Sequence, residues 1–331
     1  DEIIQNLPDS SVILTTTDVA GAPPGHIALA DLDDTEVEEI FTDRVRADLP
    51  SSAQAHVPVL GDRLLRRPGL VNLAAGRAFT DVPVVDGEDN DDHPLTKWIS
   101  ERAAMDSATL LASMVDPAAQ EVVDLTQAVG EMVPRAVIVD VTGSEQAIDE
   151  ALIARLLVQG SPRYKVRDSL ADELPPVEDD ELMGRAMTAA VTWAEAAPEP
   201  ELFENRAFVL RMLRWGKKAR RWRSVWRLAR AAERAMARGG RWDAWEDVLE
   251  AALGAAQELD DRSGEAWALH QLGSRSLVAD DLAGARTHLH QSLRIREDLG
   301  EDAAAALTRK SLGLVPLAIT SLVTVLAIAV L

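Results

Sequence analysis

Two neighbouring charges, Arg167 and Asp168, stand in the stretch PRYKVRDSLADEL (162–174), where the chain passes from a strand pattern to a helix pattern. Tyr164 and Val166 alternate with Lys165 and Arg167, the period of a half-buried strand. Asp168 or Ser169 can cap the helix that follows, and Ser169-x-x-Asp172 is close to a capping box. Pro175-Pro176 then stops it. A strand ending in Arg-Asp at a helix start puts two charges at the joint between two halves of the chain. The plainer alternative is a cap beside a solvated arginine.

A second set of charges fills residues 211–241, with twelve Lys or Arg against one acid, Glu233. Trp215, Trp222 and Trp226 are interleaved with them. The functional readings are nucleic acid, an anionic membrane, or the acidic half of this same chain. The structural alternative is a solvated arginine face, because Arg223, Arg227, Arg230 and Arg234 keep a helical spacing while the tryptophans face a core. His288 and His290 point to different faces of one helix and have no shared carboxylate, so no metal site is expected there. The acidic run at 86–92 lacks EF-hand spacing and reads as a solvated linker.

The totals bound what these residues can be part of. A chain of 331 residues allows two or three domains. Its net charge of −21 is uneven: residues 1–200 hold 38 acids and 14 bases, residues 201–331 hold 17 acids and 20 bases. The two halves can therefore attract each other. With no cysteine, disulfides and thiolate metal sites are excluded. The first residue is Asp1, which suggests a start inside a longer gene product.

The elements that must position the charges follow from pattern. Val12-Ile13-Leu14 and His26–Leu29 read as strands. Helices are expected over 35–47, 53–66 and 69–78, and an acidic linker over 81–94. Two or three helices follow between 95 and 131. A strand is expected over 136–141 and a helix from Ser144 to about Val158. This order fits a winged-helix-like domain at 95–174. Residues 175–201 read as a Pro-rich linker with one helix.

From 202 to 312 the pattern is helical and repeats at an offset of forty. Trp242 meets Leu282, Leu249 meets Leu289, Leu253 meets Leu293 and Leu259 meets Leu299. Helical pairs this small need neighbours to bury their apolar faces, which predicts an α-solenoid. Ser311–Leu331 carries no charge, is long enough for a bilayer, and follows Arg309-Lys310. A membrane helix over 313–331 is therefore expected, with the preceding chain on the cytoplasmic side.

Two groups of residues carry a resemblance. Ala266, Leu269, Leu272-Gly273, Ala285 and Leu289 keep the spacing of a tetratricopeptide repeat, with Ser276 in the usual aromatic place. The tract 242–300 resembles repeats that follow the nucleotide module in actinobacterial STAND signalling proteins. The upstream half is similar to the NB-ARC type of that architecture. Residues 7–17 resemble a strand that ends in a sensor arginine, where this chain has Thr17; residues 27–41 resemble the segment after it. Residues 66–70 resemble a degenerate Gly-Leu-Pro-Leu motif with Pro68 retained. Val166-Arg167-Asp168 resembles the nucleotide-sensing triplet that ends the winged helix, with Arg in place of His.

The resemblance implies a mainly α, multidomain fold. Residues 1–80 would be the remnant of an α/β NTPase module, followed by the winged helix and the repeats. It implies Pro68, Arg167 and Asp168 as nucleotide-binding positions, with ADP or ATP and Mg in a full-length parent. This chain has no G-x-x-x-x-G-K-[ST] loop. It therefore has no phosphate cradle of that kind, and no cofactor or hydrolysis is expected for it alone. The expected partner is a protein bound by the repeats. An intramolecular contact of 211–241 with the acidic half and a homo-oligomer are further expectations; nucleic acid is not expected. The alternatives are a nucleotide-independent, membrane-tethered repeat scaffold and a transcription regulator whose DNA-binding domain lies elsewhere.

Overall fold

In the computed structural model, the described residues are 32–45, 49–64, 66, 68–82, 93–114, 116–153, 156–160, 162–171, 174 and 176–315. They are mainly α-helical and belong to two compact units that divide at Met105/Asp106. The strands expected at 12–14 and 26–29, the Thr17 position, most of the acidic linker and residues 316–331 lie outside this set. Among the described residues no helix is long and apolar enough to cross a membrane.

The first unit holds α1 (Asp34–Val45), α2 (Ser51–Gln54), α3 (Val57–Arg63), α4 (Pro68–Asp81) and α5 (Pro94–Ala103). Helix α1 opens with a reciprocal capping box: Glu36 N donates to Asp33 Oδ1 at 2.9 Å, and Asp33 N donates to Glu36 Oε2 at 2.8 Å. The single helix expected over 53–66 is broken at Ala55–His56. Pro58 is the reason: it has no N–H, and inside a continuous helix its ring would strike the carbonyl of Gln54. Instead it sits in the first turn of α3. Val37 and Phe41 of α1 are fully buried, as are Leu60 and Val71.

Helix α5 belongs to this unit, although the sequence pattern grouped it with the module after it. The Thr96 and Ser52 hydroxyls are 2.8 Å apart, and Trp98 Nε1 donates to Asp81 at 3.2 Å.

The second unit begins with α6 (Ser107–Met114) and α7 (Pro117–Val129). Asp116 caps α7 by accepting from Ala118 N at 2.9 Å. Then come β1 (Val133–Pro134), α8 (Arg135–Thr142), α9 (Gln146–Ile153), β2 (Leu157–Gln159), β3 (Arg163–Val166) and α10 (Asp168–Ala171). The sheet is antiparallel with order β1-β3-β2, pairing Val133 with Tyr164 and Leu157 with Val166.

The strand expected over 136–141 is a helix. Its apolar run looks strand-like, but Val137, Ile138 and Val141 are buried while Ala136 and Asp140 are exposed, which is helical spacing. Pro134 ends the strand and serves as N-cap of α8.

The one helix expected within 175–201 is present, and it packs into the unit instead of standing in a free linker. Helix α11 (Asp180–Ala196) starts at an Asp179 cap that accepts from Glu181 N and Leu182 N. It buries Leu182, Met183, Ala186 and Ala190 in the core of the unit. Arg185 Nη1 ties it to the Val141 carbonyl at 3.1 Å. Helices α12 (Glu199–Glu204) and α13 (Arg206–Lys218) follow.

The rest is an antiparallel array: α14 (Trp222–Arg238), α15 (Trp242–Glu258), α16 (Arg262–Val278), α17 (Leu282–Asp298) and α18 (Asp302–Leu314). The first four have 17 residues each. Every connector has three residues, and the middle one is left-handed: Arg220, Gly240, Asp260, Asp280 and Gly300 have φ of 54°, 68°, 54°, 59° and 72°. The third residue's amide bonds back to the carbonyl five positions earlier in four of them, through Arg221, Asp261, Asp281 and Glu301. This closure satisfies the last carbonyls of each helix. The forty-residue offset in the sequence is thus two twenty-residue steps. Side chains repeat every second helix, because alternate helices use different faces; the connector geometry repeats every helix. Packing inside the array is close. A Cβ on Gly273 would stand 2.6 Å from Leu289 Cγ, so α16 and α17 approach through a missing side chain.

Candidate functional site

Pro68, Arg167 and Asp168 are placed as follows. Pro68 is the first residue of α4, in the first unit. Beside it Arg66 is left-handed, with φ of 47°. Its guanidinium donates to the Leu32 carbonyl at 3.1 Å and pairs with Asp34 at 2.7 Å and Asp62 at 2.6 Å. The basic residue of the degenerate motif therefore clamps helix ends within its own unit.

Arg167 and Asp168 lie in the second unit, after β3. The Arg167 amide donates to the Leu156 carbonyl at 2.9 Å, which closes the sheet. Asp168 is exposed and accepts from Lys165 Nζ at 2.6 Å. Its helix runs four residues. An exposed carboxylate neutralised by its own lysine does not fit a nucleotide phosphate. No step through a nucleotide follows from this corner.

The basic stretch divides in two. Arg211 donates to the carbonyls of Val129 and Ala128 at 2.9 and 3.1 Å, closing the C-terminus of α7. Arg227 makes a two-pronged pair with Glu195, at 2.8 and 2.6 Å. Glu195 is held below its usual carboxylate range by that hydrogen-bonded guanidinium. Arg234 and Arg238 flank Glu199 at 3.4 and 2.8 Å, and Arg241 meets Asp243 at 3.3 Å. Arg230 lies over the Trp267 ring, 3.8 Å from its centroid, and 5.7 Å from that of Trp226. Desolvation there lowers its pKa. The other six, Arg214, Lys217, Lys218, Arg220, Arg221 and Arg223, are exposed and form no ion pair among the described residues.

The tryptophans divide similarly. Trp215 faces the core, whereas Trp222 and Trp226 are only partly buried. Trp226 meets Trp267 edge to face, with centroids 5.6 Å apart and planes at 86°. This contact lies between α14 and α16, which stand side by side with α15 behind them. The next contact along the row joins α16 to α18, where His270 Nδ1 is 3.2 Å from Thr308 Oγ1. Thr308 accepts from Arg296 Nη1 at 2.6 Å, and Arg296 also donates to the Ala304 carbonyl at 2.8 Å. Burial first, and the Arg296 charge second, push the His270 pKa down to about 4. This imidazole is neutral at pH 7. Glu233, the one acid of the basic stretch, is buried and accepts from Trp245 Nε1 at 3.0 Å. Burial raises its pKa.

The row α14–α16–α18 thus presents an aromatic pair, a stacked guanidinium and a neutral imidazole on one side. Such a surface suits binding; its hydroxyl–imidazole contact, Thr308 with His270, is buried at the hydroxyl, which is also engaged by Arg296 and the Ala304 carbonyl. Among the described residues no group of three His, Asp or Glu could hold a metal ion. An open groove of about 680 Å³ between α7 and α11 is lined by Glu121, Asp124, Asp179 and Arg185, and Arg185 is already bonded to Glu121. Sequence reasoning missed the Trp226–Arg230–Trp267 stack. The signal was present as Trp226 and Trp267 near the starts of helices forty residues apart. Comparison with known proteins gives no match: no family model, no curated protein and no solved structure is similar to this chain.

Proposed function

We propose that this chain is the regulatory part of a STAND-type signalling protein, whose tetratricopeptide-like array binds a protein partner. The observation that carries this reading is the Trp226–Arg230–Trp267 stack on the row α14–α16–α18. Tryptophan and arginine are the residues that most often anchor protein interfaces. The helix–strand–helix–helix–hairpin order of α7 to β3 supports a winged-helix module. Its helix α9 is preceded by Glu145 and carries Asp149 and Glu150, which repel a phosphate backbone. The module is therefore read as a coupling element and not as a reader of DNA. In a full-length parent, ADP or ATP with Mg would set the state of the assembly, and residues 313–331 would tether it to the cytoplasmic face of a membrane. The mechanism is a population shift between closed and open assemblies.

The test has two arms. Crosslinking with mass spectrometry should identify a protein held by the wild-type chain. W267A/R230A should lose it while the helical circular dichroism stays unchanged. Retention by the variant would move the binding site elsewhere. Calorimetric titration with ATP or ADP should give no heat of binding. Micromolar affinity would instead make this chain a nucleotide-binding protein by itself.

The scaffold alternative is favoured by one observation: Arg66 and Asp168, which belong to the resembling motifs, are both engaged by their own units.

A further inference from the structure

The antiparallel array brings three connectors to one end: 219–221, 259–261 and 299–301. Contacts between the first turns of alternate helices fix this. A Cβ on Gly264 of α16 would stand 2.9 Å from the Trp226 ring of α14. Ser263 Oγ donates to Glu301 Oε1 at 2.5 Å. Neighbouring connectors are therefore about one helix spacing apart, roughly 10 Å.

The charges along this end are segregated. The first connector and its flanks, residues 214–223, hold six Lys or Arg and no acid. The second, over 254–263, holds Glu258, Asp260 and Asp261 against Arg262; the third, over 294–303, holds Glu297, Asp298, Glu301 and Asp302 against Arg294 and the buried Arg296, and its Glu297 pairs with Arg309. Two exposed leucines, Leu259 and Leu299, stand in the acidic connectors. The cationic connector also bears a conformational cost. Arg220 takes the left-handed position that Gly or Asp occupies in the other four. Arg221 takes the place where Asp261 and Asp281 cap the next helix, at Gly264 N and Gly284 N, and it makes no cap bond.

We infer that this end is an interaction surface for a second copy of the same chain. A two-fold axis normal to the row and through the second connector sets the cationic connector of each copy on the third, acidic connector of the other, while the two second connectors face each other through Leu259. Such an isologous contact is satisfied twice over by one surface. A nucleic acid or a flat anionic membrane suits the end less well. Either would cross from the cations to the acids within one helix spacing, comparable to the Debye length at physiological salt. This inference does not depend on what the α14–α16–α18 face binds.

Sedimentation velocity of the full chain in non-ionic detergent provides the test. The expected result is a dimer at about 0.1 M salt, with a dissociation constant at least about tenfold higher at about 1 M, where screening falls from roughly 10 Å to 3 Å. K217E/R220E/R221E and D298K/D302K should each be monomeric, with the helical signal retained. Mixed together, the two should form a heterodimer, because each supplies the charge the other lost. A chain that is monomeric at low salt overturns the inference, and so does a dimer indifferent to salt. A mixture that stays monomeric also overturns it, as does binding of a single-stranded oligonucleotide or phosphatidylserine vesicles by a monomeric chain through 214–223.

Discussion

The sheet-bearing module of residues 117–171 and the array of residues 222–314 sit in one compact unit but are built on opposite plans. In the module, partners are far apart in sequence: Val133 pairs with Tyr164, and Leu157 with Val166, across intervening helices. In the array, every helix packs on the next after a three-residue turn, and the buried cluster of Leu277, Ala285, Leu289 and Val315 spans only three helices. A module of the first kind closes or opens as a whole. An array of the second kind is a chain of nearest-neighbour interfaces and can loosen locally.

The strongest way to break this contrast is to cut an equal hole in each part. Tyr164→Ala and Trp245→Ala each remove a fully buried aromatic side chain and should cost about 3–5 kcal/mol. Hydrogen exchange should then separate them. Y164A should unprotect β1, β2, β3 and α7 together, whereas W245A should unprotect α14 to α16 and leave α18 slow. Equal spreading in both variants would erase the distinction.

The next largest effect is a pH dependence confined to the array. His270 has a folded pKa of about 4, below the unfolded value of about 6.5. Between those values the unfolded chain binds more protons, so stability falls as pH drops through that window and is fully present above it. The loss is of order 3 kcal/mol at its limit. Thermal melts at pH 7 and pH 5 should differ for the wild type and much less for His270→Asn. A pH response equal in both proteins would assign the effect to other groups.

Removing only the Trp245 hydrogen bond sharpens the comparison further. Trp245→Phe keeps a ring in the core but orphans the buried Glu233, which should cost about 1–3 kcal/mol by chemical denaturation. No change would mean that Glu233 finds another donor.

The smallest effects compare one connector with another. Gly300→Ala meets no atom within 4 Å, so any loss, about 1 kcal/mol, comes from its left-handed backbone alone. Arg220→Gly should stabilise by about the same amount, by relieving a residue with a side chain at that conformation. Melting temperatures that move in the same direction for both would contradict the strain assigned to Arg220.

How far each region could be read from its residues follows the same contrast. The array was legible because its information is local: the period, the Leu272-Gly273 pair and the aligned leucines all lie within one helix pair. Only the halving of the period to twenty was missed, since the connectors share a backbone shape and not a residue type. The module was read less well. Residues 136–141 are apolar enough for either element, and the choice of helix was made by burial against α11, a partner forty-odd residues away. The 175–201 segment read as a linker with one helix because its ends are rich in Pro and acids. Its middle, α11, is the helix that joins the module to the array.

For the candidate site, the sequence by itself determined that cations and tryptophans concentrate in 211–241. It also determined that no phosphate-binding loop of the G-x-x-x-x-G-K-[ST] kind exists. Only the tertiary structure decided which cations are used up and which are free. Arg211, Arg227 and Arg238 look like Lys217 and Arg221 in the sequence, yet the first three meet a helix end or a carboxylate and the last two meet none among the described residues. An arginine's role depends on what lies within 4 Å of its head, and that is set by which helices are neighbours. The same holds for His270, an ordinary imidazole in the sequence, whose pKa falls because the packed array buries it and, second, because α17 brings the Arg296 charge near it.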